Sequence, residues 1–110
     1  ESTPMSCIII RSQLATDHPE IVSAFLKEAA SSSRWVNEFP NLAADPAQEH
    51  IQISAKAVRE AVPRCNLRFT EAGAAKDEID YYLRKLYEFD PKSIGGRIPD
   101  ANFYLQTPKN

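Results

Sequence analysis

Apolar side chains recur at three- and four-residue steps over two long stretches of this chain, the signature of amphipathic helices. In the first stretch Val22, Phe25, Ala29 and Val36 form a stripe that Ile21, Leu26 and Trp35 widen. Lys27, Glu28 and Arg34 fall toward water or on its edge. The start is punctuated by Asp17 and Glu20 at capping-box spacing, with Pro19 in the first turn, where its missing N–H costs nothing. If His18 is the cap instead, Pro19 takes the first helical position. The helix is expected to run to about Asn37 and to stop at Phe39-Pro40-Asn41, because proline disfavours helix at the residue before it. With Phe25 on the inner face, Phe25→Ala is expected to cost roughly 3–5 kcal/mol.

The second long helix is expected over residues 71–89, capped by Thr70 and stopped by Asp90-Pro91. Its inner stripe is Ala75, Ile79, Tyr82, Leu83 and Leu86. Lys76 with Asp80, and Glu78 with Tyr82, stand one turn apart; an exposed ion pair of that kind adds only ~0.2–0.5 kcal/mol. Between the long helices two short ones are predicted. One starts at Asp45-Pro46 with Gln48 as its capping-box residue and carries Ile51 and Ile53. The other is capped by Ser54, carries Val58, Ala61 and Val62, and ends at Pro63.

Residues 5–11, MSCIIIR, lack this periodicity and are rich in β-branched side chains, which predicts a strand buried on both faces. Residues 12–16 then form its exit loop, and residues 66–69 are extended and available to pair as a minor strand. A strand needs a ladder partner, and this sequence offers almost none. The tail over residues 92–110 holds Gly95-Gly96, two prolines with Pro91 just before it, and an apolar cluster at Phe103, Tyr104 and Leu105. Such a tail is ordered where its aromatics dock on a larger body. The reading is therefore one segment over residues 1–110: strand and helices to residue 91, then an extended docking tail.

A length of 110 residues with 43% apolar and 25% charged side chains fits one globular domain or a part of one. A formal charge of -2 offers no basic stripe for nucleic acid or anionic membranes. The apolar run at residues 7–10 is far shorter than the ~20 residues that span a bilayer. Glu1-Ser2-Thr3-Pro4 has neither the basic nor the apolar region of a secretory signal, and the strand-like run follows at once without an initiator Met. That suits a cut piece. Cys7 and Cys65 are far apart, and Cys7 within an apolar strand is expected to act as a small buried hydrophobe, so a bridge between them is disfavoured. The histidines are His18 and His50, and no metal-ligand spacing exists.

Candidate chemistry is sparse. Gly95-Gly96 lacks the Lys-Ser/Thr of a phosphate loop and reads as a turn. Asp77, Glu78 and Asp80 are acids near the start of a helix, where the dipole favours them, rather than an acid–base pair. His18 reads as a helix-start residue and His50 as an exposed one. Cys65 with either histidine lacks a strained elbow and oxyanion donors. Trp35, Tyr81, Tyr82, Tyr87, Phe103 and Tyr104 read mainly as packing, with contact to a partner surface as the alternative. No catalytic residue, metal site or cofactor is expected.

Two motifs carry a resemblance. Residues 7–11, CIIIR, followed by a short loop and DHPEIVSAFLK over residues 17–27, resemble a hydrophobic strand ending in Arg and then the HPE-xx-xAFLKA pattern of solute-binding proteins. RWVNEFP over residues 34–40 resembles the RW-x-NE-x-P that closes the same helix in those proteins. LYEFDPKSIGGRIPD over residues 86–100 is similar to the tail of some branches. The chain departs from the pattern at Asn41-Leu42-Ala43-Ala44-Asp45-Pro46, where a second proline interrupts an alanine-rich run.

The family is that of the extracytoplasmic solute-binding proteins of ABC importers of the nitrate, sulfonate and taurine type. The resemblance implies the C-terminal portion of an α/β type II periplasmic-binding fold, with one N-terminal strand, two long and two short helices. It further implies a bacterial periplasmic or membrane-anchored extracellular location and no enzymatic reaction. Its implied partners are the remaining lobes, an ABC permease and a small anionic solute, with self-association of the piece as a further expectation. Glu1, Ser2 and Thr3, nearest the hinge, are the only candidates for approach to the ligand cleft. The alternatives are an enzyme of the same fold, of the pyrimidine-synthesis or sulfinate-hydrolase kind, and a self-contained helical interaction domain.

Overall fold

Phe39 closes one helix and opens the next. Its N–H donates to the Trp35 carbonyl at 2.8 Å, and its own carbonyl accepts from Leu42 and Ala43 N–H at 3.0 and 3.1 Å. In the computed structural model, which describes residues 5–106, this single residue joins α2 (Pro19–Glu38) to α3 (Pro40–Ile51). The expected stop before Pro40 is thus in place. The second short start is not: α3 begins at Pro40 and runs straight through Pro46 instead of opening at Asp45. Ala43 and Ala44 supply the helix propensity there and are both buried, so tertiary packing outweighs the proline.

The N-terminal boundary of α2 also differs from the capping-box reading. Residues expected as an exit loop form a short helix, α1 (Ser12–Asp17), so Asp17 ends a helix rather than capping one. His18 is the cap residue of α2 and Pro19 takes the first helical position, the alternative the spacing allowed. Ser54 caps α4 (Ala55–Cys65) as expected, its Oγ accepting from Ala57 N–H at 3.2 Å. Gln48, whose spacing suggested a cap for its own helix, accepts from Ala55 N–H at 3.0 Å and so caps α4 instead. Pro63 lies inside α4, and Asn66 in the left-handed region (φ 51°) closes the helix.

The described chain divides into two compact units. In Ser12–Phe69, α3 and α4 pack as a hairpin, and α2 lies against both. The core is small: Ala44, Val58 and Val62 are buried together, with Val36, Ala47 and Ala55 packed on them. Ala44 has no exposed surface at all, which lets α4 approach α3 closely. Each buried valine contributes about 1.5–3 kcal/mol.

The other unit holds residues 5–11 and 70–106 of the described chain. Its main element is α5 (Ala72–Phe89), which starts after Glu71, one residue later than a Thr70 cap predicts. Asp90 ends it, accepts from Lys92 N–H at 3.1 Å and starts a 3-10 turn over Pro91–Ile94. Ser93 Oγ donates to the carbonyl of Asp90 at 2.7 Å, holding the turn against the helix end. Gly95 and Gly96 follow with φ of 83° and 89°, a left-handed pair that only glycine adopts cheaply. A second 3-10 turn spans Ala101–Phe103, with Asp100 accepting from Asn102 N–H at 2.9 Å.

Three expectations are corrected here. Among the described residues there is no strand, so the α/β assignment, the N-terminal strand at residues 5–11 and the minor strand at 66–69 all fall, and the described chain is all-helical. The physical reason is the one the sequence already carried: β-branched residues form a ladder only with a partner, and none exists among the described residues. Cys7 is exposed rather than buried, and both cysteines are free thiols. Phe25 stands 53% exposed, beside an equally exposed Ile21, while Val22 one position away is buried. The inner face of α2 is therefore rotated toward Val22, Ala29 and Val36.

Candidate functional site

The candidate residues nearest a cleft by resemblance, Glu1, Ser2 and Thr3, lie outside the described residues. Of the chemistry-bearing candidates, Asp80 is the one the fold places in a polar cluster. Tyr104 is buried, with 3% of its surface exposed, although it belongs to the tail. Its hydroxyl donates to Asp80 Oδ1 on α5. Lys76, one turn earlier, donates to Asp80 Oδ2 at 2.8 Å, and its ammonium sits 5.3 Å from the centre of the Tyr104 ring. Phe103 meets Tyr104 edge to face, with centroids 5.2 Å apart and planes at 89°. The tail thus docks on the helix of its own unit through one aromatic anchor.

The electrostatics follow from those contacts. The hydrogen bond from Lys76, then that from Tyr104, hold the Asp80 carboxyl below the usual carboxylate range, against a smaller opposing effect of desolvation. Burial, and then donation to Asp80, push the Tyr104 hydroxyl well above the ordinary tyrosine range. At neutral pH the carboxylate is ionised, the phenol keeps its proton, and both Asp80 oxygens are engaged. This arrangement is a latch; a general base needs a free, near-neutral acceptor. His18 Nδ1 lies 3.4 Å from Glu20 Oε1, both side chains being exposed, and His50 and Cys65 are exposed on α3 and α4. The structure brings neither histidine to Cys65 through a hydrogen bond among the described residues.

Two open cavities mark the surface. One, of about 470 Å³, lies in the tail beside Arg97, Asp100, Asn102 and Phe103. The second, of about 270 Å³, lies between α2 and the segment after α4. Asn37 builds it: its Nδ2 donates to the Leu67 carbonyl at 2.6 Å and to the Ser33 carbonyl at 3.0 Å. Arg34 and Arg68 line the cavity with Ser33, Leu67 and Phe69. Sequence reasoning missed Asn37, Arg68 and the Asp80–Tyr104 pair, because each contact joins residues 24 or more positions apart. Helical periodicity carries no signal at that range.

The largest exposed features are apolar. Met5 and Ile9 are almost wholly exposed, and Ile21 and Phe25 on α2, Leu42 and Ile51 on α3, and Phe89 at the end of α5 are each more than half exposed. No helix among the described residues is long and apolar enough to cross a membrane, and no group of three or more possible metal ligands occurs among them. Compared with protein-family models, with curated proteins and with solved structures, the chain finds no match.

Proposed function

We propose that this chain is a helical part of an extracytoplasmic solute-binding receptor that delivers a small anion of the nitrate or sulfonate kind to an ABC importer. It has no reaction of its own in this reading. Its partners are the remaining body of the receptor, the permease and the solute, and its place is the bacterial periplasm or, membrane-anchored, the extracellular side. The observation that supports the reading is the exposure of large apolar side chains in each unit: Met5 at 99% and Ile9 at 88% in one, Ile21 and Phe25 beside the HPE motif in the other. Large apolar side chains left in water in this number fit a segment shaped to lie under another body of protein. The motif pair at residues 17–27 and 34–40 is what directs that body toward a receptor.

The test is to express the complete reading frame that contains this chain. Its product is expected to carry a secretory or lipoprotein signal and to gain thermal stability with taurine, an alkanesulfonate or nitrate. A product without a signal that gains nothing from any of these anions overturns the reading. A self-contained helical interaction module is the second reading, favoured by the all-helical architecture of the described residues. Light scattering separates the two: the module forms a dimer of fixed stoichiometry, whereas the isolated receptor segment, its apolar side chains uncovered, self-associates without one.

A further inference from the structure

We infer that the face of α5 under Tyr104 is a tyrosine-recognition slot, kept filled by the chain's own tail and open to the tail of a second copy once the first is released. Its contacts suit a phenol in particular. Asp80 Oδ1 accepts from the Tyr104 hydroxyl. The Lys76 ammonium lies 5.3 Å from the centre of the same ring while donating to Asp80 Oδ2 at 2.8 Å. One cation thus attracts the ring face and holds the carboxylate that receives the hydroxyl. Tyr104 is buried there, whereas the other described residues of the tail are half-buried or exposed.

Two further features make the occupant exchangeable. The turn that presents Tyr104 closes on itself: Asp100 accepts from Asn102 N–H at 2.9 Å through its side chain and from Phe103 N–H at 3.1 Å through its carbonyl, and the Ala101 carbonyl accepts from Tyr104 N–H at 3.3 Å. None of these bonds is made with α5. The tether behind the turn passes through Gly95 and Gly96 at φ of 83° and 89°, where an added Cβ would meet open space but would strain the backbone. The tail of a second copy carries the same turn and the same anchor, so its contacts in the slot are those already seen, and a reciprocal exchange closes as a symmetric pair. In the parent chain the short tether holds the tail at its own slot with a roughly millimolar effective concentration, which keeps a second copy out. The inference does not depend on the receptor reading.

The experiment titrates a fluorescent peptide of residues 97–106, standing in for the second copy's tail, into three full chains: the parent, Tyr104→Ala, and the double variant Gly95→Val with Gly96→Val. Tyr104→Ala empties the slot. The glycine pair strains the tether and leaves Lys76, Asp80 and Tyr104 in place, so it reports on release even if the alanine variant fails to fold. Both variants are expected to bind the peptide saturably and about tenfold or more tighter than the parent, which must first displace its own tail. Alanine in place of the peptide's tyrosine should abolish binding, and Asp80→Asn added to the Tyr104→Ala chain should weaken it severalfold. The slot does not exist if neither variant binds more tightly than the parent, or if the alanine peptide binds as well as the native one. A glycine variant that stays monomeric in light scattering above the peptide's Kd overturns the exchange between copies.

Discussion

Removing one oxygen from the tail should loosen it by a measurable and bounded amount. In Tyr104→Phe the ring stays and the hydroxyl that donates to Asp80 is lost. A hydrogen bond to a charged acceptor contributes ~1.5–3 kcal/mol. Asp80 retains its 2.8 Å bond to Lys76 and its side chain is 19% exposed, so water recovers the vacated lone pair. The loss falls at or just below the bottom of that range, about 1–1.5 kcal/mol. Native-state hydrogen exchange reads it directly at the Phe103 and Tyr104 amides, which donate to the carbonyls of Asp100 and Ala101. Their exchange should accelerate roughly five- to tenfold. Tyr104→Ala also removes the buried ring and should cost about 3 kcal/mol.

The pH dependence has a definite sign. Asp80 is depressed by its partners, so its contribution is present above the ordinary carboxylate value of about 3.9 and is lost as pH falls through the lower folded value. Tyr104 is raised, so its contribution is complete below about 10 and is lost as pH climbs toward the higher folded value. Tyr104→Phe should abolish the alkaline limb and shrink the acid one. If Tyr104→Ala leaves tail exchange at the parent rate from neutral pH to either extreme, the latch does not exist and the reasoning fails.

Three further substitutions test the other unit by chemical denaturation. Ala44→Val adds two methyl groups where no surface is exposed, and overpacking there should cost about 1–3 kcal/mol; a neutral result would mean that α3 and α4 are loosely packed. Ser54→Ala removes the acceptor for Ala57 N–H and should cost about 1 kcal/mol, with an unchanged midpoint counting against the cap. Phe25→Ala, whose ring is half in water, should cost less than about 1 kcal/mol in this chain, and a loss near the 3–5 kcal/mol of a buried ring would restore Phe25 to the core.

The elements of this fold were readable where local chemistry governs them. Proline after Phe39 and Asp90, the Ser54 cap and the Gly95-Gly96 turn all act within a few residues of themselves, and each stands where the sequence puts it. The errors cluster where a distant surface decides. Residues 5–11 have the composition of a strand and no ladder to join, so composition alone misleads. The α2 stripe is wide enough to admit two rotations, and periodicity alone does not say that Val22 is buried while Phe25 is exposed. The tail was expected to require a larger body, yet Tyr104 finds its anchor on α5. The two-arginine cavity was invisible because one side-chain amide, Asn37, assembles it.

The prolines inside α3 and α4 bear on how this molecule forms. Each helix is short, at 12 and 11 residues, and isolated helices below ~12–15 residues are marginal even without interior proline. Pro46 and Pro63 each add a helix-breaking penalty of about 3 kcal/mol at a fully interior position, less near an end. Neither segment can therefore persist as a nascent helix in the unfolded chain, whereas the 20-residue α2 and 18-residue α5 have the length to flicker into helix early. What holds both helices is their contact with each other, where Val58 and Val62 are buried with Ala44; a substitution that opens this cluster should therefore unwind the two arms together.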